Sequence, residues 1–207
     1  MDRNLDVIRR SIRRLPHELV RDYQAKDQMV EQIRIRLISF TNTSLATDGV
    51  RTTSFSVMHP AHDFGRFVRE VESLHVATEG AHESSLALEA LATAIMSPWM
   101  PGATCRHVIV LITNRGARLS GNHDHLTIAT VPAEARQSLD ELTDMWDSNQ
   151  DMTRMYKSLI VFAPDVFPWS VIGDAWGNTV WIPTAKEFRA EDTSMLSDLS
   201  KLVVNEI

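Results

Sequence analysis

The stretch that most constrains this chain is residues 106–114, RHVIVLITN, in which five consecutive apolar residues are followed by Thr113 and Asn114. A short, β-branched apolar run with polar flanks is typical of a strand that is buried on both faces, in the middle of a parallel sheet. Ligands of such sheets gather at the carboxyl ends of the strands. The sequence therefore predicts a central strand over residues 108–112 and directs the search for a site to Thr113 and Asn114.

The rest of the chain alternates helical and strand patterns. Apolar spacings of three and four predict an amphipathic helix over residues 2–30, which Pro16 is expected to kink or divide, and residues 33–40 and 55–58 predict a hairpin. The remaining patterns predict helices over residues 62–74, 83–99, 132–146, 168–176 and 194–204, and strands over residues 156–163 and 179–182. This alternation favours an α/β fold, a doubly wound, mainly parallel sheet with helices on both faces. A length of 207 residues with 43% apolar content predicts a single domain, residues 1–207.

Composition narrows the classes of function. A single cysteine, Cys105, excludes an internal disulfide, and the charged first residues resemble neither a signal peptide nor a membrane span, so we expect a cytoplasmic protein. The net charge of −6 argues against nucleic-acid binding, although residues 1–36 hold nine Lys and Arg against six Asp and Glu. The chain has neither a Gly-x-Ser-x-Gly elbow nor a glycine-rich phosphate loop. We therefore expect no enzymatic activity and no cofactor.

Four histidines form two weak candidate metal pairs. His123 and His125 alternate in NHDHL, and His59 and His62 lie close together in a second polar stretch. Zinc sites need further ligands at known spacings, and neither pair has them. Solvated loop histidines are the better interpretation.

Four segments, in this order and spacing, resemble the bacterial von Willebrand factor A (VWA) family: AKDQMVEQIRIRLISF, ESSLALEALATAIMSPW, RHVIVLITN and SLIVFAPDVFPW. They are most similar to the branch whose first strand ends in a D-A-T-G-S-M motif. The resemblance implies a parallel sheet with a metal-ion-dependent adhesion site at its carboxyl end. There, side-chain oxygens hold Mg²⁺, which binds an acidic group of a partner protein.

This chain departs from the family pattern at each loop of the adhesion site. The first central strand and its Asp-x-Thr-Gly-Ser ligands are missing, so the resemblance implies an N-terminally incomplete domain. Asn114 takes the place of an Asp, and His82 and Ser85 take the places of an Asp and a Glu. Asn42 lies where an Arg-Asp pair is common. We expect Glu83, Ser85 and Asn114 to form a degenerate site that does not bind metal, and we place a partner-binding face at Asn42, His82, Thr113 and Asn114.

Three functional hypotheses remain open. The first is a non-enzymatic protein-interaction module with a degenerate adhesion site, for which the resemblance implies a partner protein such as an AAA+ ATPase, kinase or phosphatase, and neither nucleic acid nor membrane. The second is a fragment of a Mg²⁺-dependent VWA adhesion or regulatory protein whose true start lies upstream; only then is Mg²⁺ expected. The third is a hydrolase-type enzyme, since the fold hosts many chemistries. In a chain without the first strand, residues 35–40 and 108–112 should pair directly or flank a gap.

Overall fold

The computed structural model describes residues 3–40, 49–59, 64–74, 84–102, 105–117, 138–185 and 198–205. Six helices occur in these ranges: α1 Arg3–Gln24, α2 Gly65–Glu72, α3 Ala87–Ile95, α4 Leu139–Ser148, α5 Trp169–Ala175 and α6 Leu199–Asn205. Nine strands occur in the same ranges: β1 Ile33–Ile35, β2 Ile38–Phe40, β3 Val50–Thr52, β4 Ser56–Met58, β5 Ser84–Ser85, β6 His107–Ile112, β7 Gly116–Ala117, β8 Lys157–Ala163 and β9 Thr179–Pro183.

The chain divides into two compact units, and the first comprises residues 1–37, 52–76 and 188–207. In this unit β1 pairs with β4 in antiparallel register, Ile33 opposite Met58, which confirms this part of the predicted hairpin. Helix α1 packs against α2 and α6. The α1–α6 contact includes a hydrogen bond from the Ser200 hydroxyl to the Asp22 carboxylate at 2.7 Å. A small apolar cluster around Phe67 and Val71 forms the core of this unit.

The second unit, residues 38–51 and 77–187, contains a parallel sheet with the strand order β6-β8-β9. Helix α4 connects β6 to β8, and α5 connects β8 to β9, as in the repeated β-α-β units of Rossmann-like folds. Strands β5 and β7 form a short second parallel pair. The predicted α/β fold with a mainly parallel sheet is confirmed, whereas the single-domain interpretation of residues 1–207 stays a prediction.

The burial of β6, unlike that of β8, differs from what its sequence predicts. Every residue of β8 is buried, whereas burial alternates along β6, where Val108, Val110 and Ile112 are only half-buried. The prediction that residues 108–112 are buried on both faces is therefore wrong. Among the described strands, β8 is central and β6 pairs with β8 alone. An apolar run shows that a strand is buried, but its place in the sheet depends on neighbours distant in sequence.

The predicted direct pairing of residues 35–40 with residues 108–112 does not occur among the described strands. Strand β2 pairs with β3 instead and also contacts α3. The other part of that expectation, a gap between the two segments, stays a prediction.

Several helix ends differ from their predicted positions. Helix α1 continues through Pro16 and ends at Gln24, six residues before the predicted end. Helix α3 begins at Ala87, after β5, and is buried along nearly its whole length, as its apolar sequence indicated. Helix α4 begins after Ser138, whose hydroxyl accepts a hydrogen bond from the Glu141 backbone in a capping box. Residues 118–137, where that helix was expected to begin, lie outside the described residues.

The core of the second unit contains two stacked tryptophans from α4 and the end of α5. The Trp146 and Trp176 rings lie 5.8 Å apart with an interplanar angle of 15°. Gly173 allows α5 to lie directly on β9, because a Cβ at this position would come within 2.6 Å of the Trp181 Cβ. The helices thereby hold the parallel sheet in place and fix the positions of the loops at its carboxyl end.

Candidate functional site

The carboxyl ends of β6 and β8 form the floor of the candidate site. The ladder between the two strands continues one residue past β6, where the Thr113 backbone N–H donates to the Phe162 carbonyl at 2.9 Å. On the other side of β8, the Thr184 backbone N–H donates to the Ala163 carbonyl at 2.9 Å. The chain leaves the sheet after these bonds, so residues 113–117 lie where the strand pattern placed a site.

The Thr113 side chain stabilises the turn that follows β6. Its hydroxyl oxygen accepts from the Arg115 backbone N–H at 3.3 Å and lies 3.4 Å from the Arg115 carbonyl, to which it donates. Only 6% of Thr113 is exposed. Such local hydroxyl-to-backbone bonds are typical of turns that Ser and Thr stabilise. The hydroxyl is therefore engaged with its own turn beneath the surface.

The pairing of β5 with β7 places Ser85 beside the same turn. Its Cα is opposite that of Ala117, and its hydroxyl donates to the Gly116 carbonyl at 3.2 Å. Ser85 is 2% exposed. The structure thus brings together Ser85 and the turn after β6, two features that are about 30 residues apart in sequence and that sequence analysis assigned to one edge.

Asn114 is the half-buried member of the predicted site, whereas Asn42, His82 and Glu83 lie outside the described residues. Ser85, Thr113 and Asn114 offer two buried hydroxyls and an amide but no carboxylate. Mg²⁺ is usually bound through carboxylates together with water. The described part of the site therefore does not fit a Mg²⁺ ion. No group of three His, Cys, Asp or Glu side chains suited to metal binding occurs in the described ranges.

A second layer of contacts joins this turn to the loop after β8. The Trp169 indole nitrogen donates to the Arg115 carbonyl at 2.8 Å, and Trp169 is fully buried. A Cβ on Gly116 would lie 3.5 Å from the Phe167 carbonyl oxygen, so the two loops are in close proximity. The Arg115 carbonyl accordingly accepts from two side chains, Thr113 and Trp169. This arrangement fixes the backbone of the turn.

An aromatic side chain is exposed on the loop that precedes Trp169. Phe167, in this loop, is 51% exposed. Phe167, Asn114 and Arg115 form what we call the carboxyl-end surface. The sequence patterns did not single out Arg115 or Phe167. A signal was present, because the Phe-Pro-Trp triplet comes directly after a buried strand and an acidic turn, a position where loops commonly carry binding residues.

The amino ends of the same strands are built differently. Lys157 is 3% exposed, its ammonium group donates to the Trp146 carbonyl, and the nitrogen lies 4.6 Å from the centroid of the Trp146 ring. Burial lowers the pKa of Lys157, and Asp147 opposes this shift. The Nε2 atom of His107 lies 2.9 Å from the Met100 carbonyl, to which it donates. Both side chains stabilise carbonyl groups near the amino end of the sheet.

Comparison with known proteins does not assign a family. No protein-family model matches the chain, and no curated protein matches it. Among the described helices, none combines the length and the apolar character that crossing a bilayer requires.

Proposed function

We propose that this chain is a non-enzymatic protein-interaction module of the VWA type, in which the carboxyl-end surface binds another protein without a metal ion. The observation that carries the proposal is the burial of Ser85 and Thr113, whose hydroxyls hydrogen bond to the turn after β6. In an adhesion site of the family, oxygens at these places would face a cation. Here they support the backbone, and Asn114 and Arg115 remain at the rim.

The composition of the carboxyl-end surface supports a protein partner. Protein interfaces are enriched in aromatic residues and arginine, and a few such residues dominate the binding energy. Phe167 is an aromatic anchor of this kind, and Arg115 lies on a turn that Trp169 holds in place. A rigid turn loses little conformational entropy when a partner binds. The class of partner follows from the resemblance alone: an AAA+ ATPase, a kinase or a phosphatase.

Site-specific photo-crosslinking tests the proposal. A benzophenone amino acid at position 114 should capture a discrete partner in cells that contain the natural protein, and the same group at exposed Asp174 should not. The crosslink should persist in EDTA, since no metal takes part. Phe167→Asp should abolish it, whereas Met155→Asp, which alters another highly exposed apolar residue, should not. Equal capture from positions 114 and 174, or capture that Phe167→Asp leaves unchanged, would contradict the proposal.

One observation favours a second candidate, the Mg²⁺-dependent form of the same family. Ser85 lies beside Gly116 and Ala117, so the turn that contains Asn114 and the strand that contains Ser85 meet at one edge. A strand ending in Asp-x-Thr-Gly-Ser would add the carboxylate that the described residues lack. Fusing such a strand to this chain should create a calorimetrically detectable Mg²⁺ site under the second candidate. Under the first candidate, the fused chain should bind no Mg²⁺.

A further inference from the structure

Helix α1 carries an exposed, basic stripe of arginines. Arg10, Arg14 and Arg21 are exposed and fall at offsets of zero, four and eleven residues, whereas His17, in the same sector, packs edge-on against the buried Phe64 ring at 4.3 Å. At 100° per residue these positions fall within a narrow sector that is about 16 Å long. Two of the α1 residues that pack against the core of the first unit, Ile12 and Leu19, lie on the opposite side of the helix.

Most of this charge is not neutralised by other described residues. Within the described ranges Arg10 and Arg14 form neither an ion pair nor a side-chain hydrogen bond, and Arg21 pairs only with the adjacent Asp22 at 2.8 Å. Arg13, at the border of the stripe, lies 3.6 Å from Glu72, with both side chains about half exposed. Like charges four residues apart destabilise a helix. The Arg10–Arg14 repulsion is thus a feature that local contacts do not explain.

Helix α4 carries a matching acidic stripe. Asp140, Asp144 and Asp147 are exposed, and the offset of four residues between Asp140 and Asp144 equals that between Arg10 and Arg14. The buried residues of α4, Leu142 and Trp146, lie on the opposite side. Asp140 is favoured by the helix dipole, but Asp147 lies in the last turn, where the dipole disfavours an acid. In the part of the chain that the structure describes, these three carboxylates form no ion pair.

We propose that the basic stripe of α1 is a docking surface for α4 of a second copy of this chain. The equal spacing lets Arg10 and Arg14 each face a carboxylate, and arginine binds carboxylates through two parallel hydrogen bonds. Opposite charges then lie beside each like-charge pair and relieve its repulsion. Because copies with a net charge of −6 repel at a distance, the association depends on these local stripes and weakens as salt screens them. The proposal goes beyond the proposed function, since it does not involve the carboxyl-end surface.

Charge-reversal variants test this pairing by sedimentation velocity at low and high ionic strength. The wild-type chain should self-associate at low salt and dissociate at high salt. R10E/R14E and D140R/D144R should each weaken the association by roughly tenfold or more, because each replaces attraction with repulsion. Two control pairs change the net charge equally at other exposed positions, R66E/R69E and D165R/D174R, and should retain the wild-type association.

Mixing the two stripe variants provides the decisive step. R10E/R14E presents an acidic α1 and D140R/D144R a basic α4, so an equimolar mixture should associate although neither variant does so alone. This restoration also shows that both variants are folded, which circular dichroism melts should confirm. A wild-type chain that is monomeric at every salt concentration would overturn the proposal, as would a mixture that stays monomeric. Binding of an RNA oligonucleotide that R10E/R14E abolishes, with a monomeric wild type, would reassign the stripe to nucleic acid and also overturn it.

Discussion

The two ends of the β6–β8 pair use their polar groups in different ways. At the amino end, buried Lys157 and His107 donate to the carbonyls of Trp146 and Met100. At the carboxyl end, the hydroxyls of Ser85 and Thr113 bond to the backbone of a turn. Exposed apolar side chains occur at both ends, for example Met155 and Phe167, so exposure alone does not distinguish them. The difference is that the carboxyl-end groups hold a turn rigid beneath a surface, which is what a binding site requires.

The largest expected effect is at Trp169, which joins that turn to the loop after β8. Trp169→Ala should lower the free energy of unfolding by about 3–5 kcal/mol, because it removes a fully buried ring. Trp169→Phe retains most of the ring and should lower it by about 1–2 kcal/mol, largely through the hydrogen bond lost to the Arg115 carbonyl. Urea denaturation measures both. A negligible loss in Trp169→Phe would show that the hydrogen bond is not important for the turn.

At the amino end, Lys157→Met tests the buried ammonium group through the dependence of stability on pH. Burial holds the folded-state pKa of Lys157 below its ordinary value of 10.5. Between the folded-state pKa and the ordinary value, the unfolded chain binds more protons than the folded chain. In that pH range Lys157 therefore makes the free energy of unfolding rise with pH, and below it Lys157 does not affect the pH dependence. Lys157→Met should remove the rise, while changing stability at neutral pH by less than about 1.5 kcal/mol.

Lys201 provides a control with the opposite sign. A hydrogen bond to the Asp198 carboxylate raises the pKa of Lys201. The stabilisation that protonated Lys201 provides is therefore complete below its ordinary pKa and is lost as the pH rises through the folded-state pKa. Thermal melts of Lys157→Met and Lys201→Met over the alkaline range should therefore depart from the wild type in opposite directions. If both variants departed from the wild type in the same direction, the lowered pKa of buried Lys157 would be contradicted.

Smaller losses are expected from the hydroxyls beneath the carboxyl-end surface. Thr113→Val and Ser85→Ala should each lower the free energy of unfolding by about 1 kcal/mol, because each leaves a backbone group without its partner. Addition of Mg²⁺ should not change the thermal midpoint of the wild type or of either variant. A Mg²⁺-dependent increase that Ser85→Ala abolishes would show that this hydroxyl ligates a metal.

The smallest effect on stability is expected at Asn114. Asn114→Ala should change the free energy of unfolding by less than about 0.5 kcal/mol, since its half-buried side chain lies at the rim of the turn. Partner capture from a benzophenone amino acid at position 167, which retains an aromatic ring there, should nevertheless decrease. Unchanged capture together with unchanged stability would remove Asn114 from the carboxyl-end surface.

Sequence patterns identified the elements better than their places in the sheet. The buried strand predicted over residues 156–163 is confirmed as β8, and the short helix predicted over residues 168–176 is confirmed as α5. The similar apolar run of β6 suggested a central strand, yet Val108 and Val110 are half-buried. Both runs satisfy the same pattern, and only the arrangement of neighbouring strands separates them.

The sequence predicted the position of the candidate site but not the contacts that hold it together. Strand ends directed attention to Thr113 and Asn114, and the family resemblance added Ser85. The bond from Trp169 to the Arg115 carbonyl joins residues 54 positions apart, and nothing local in the sequence indicates it. The exposure of Phe167 likewise depends on how the loop after β8 packs, because an aromatic residue between two apolar segments is usually buried.

The most direct test of a metal-independent partner surface is the yield of crosslinked partner from position 114, measured in parallel with Mg²⁺ and with EDTA. Because the described site residues include no carboxylate and the Ser85 and Thr113 hydroxyls support the turn, the two yields should be equal. They should decrease together in Phe167→Asp. A yield that requires Mg²⁺ and disappears in EDTA would contradict this account and favour the metal-dependent form.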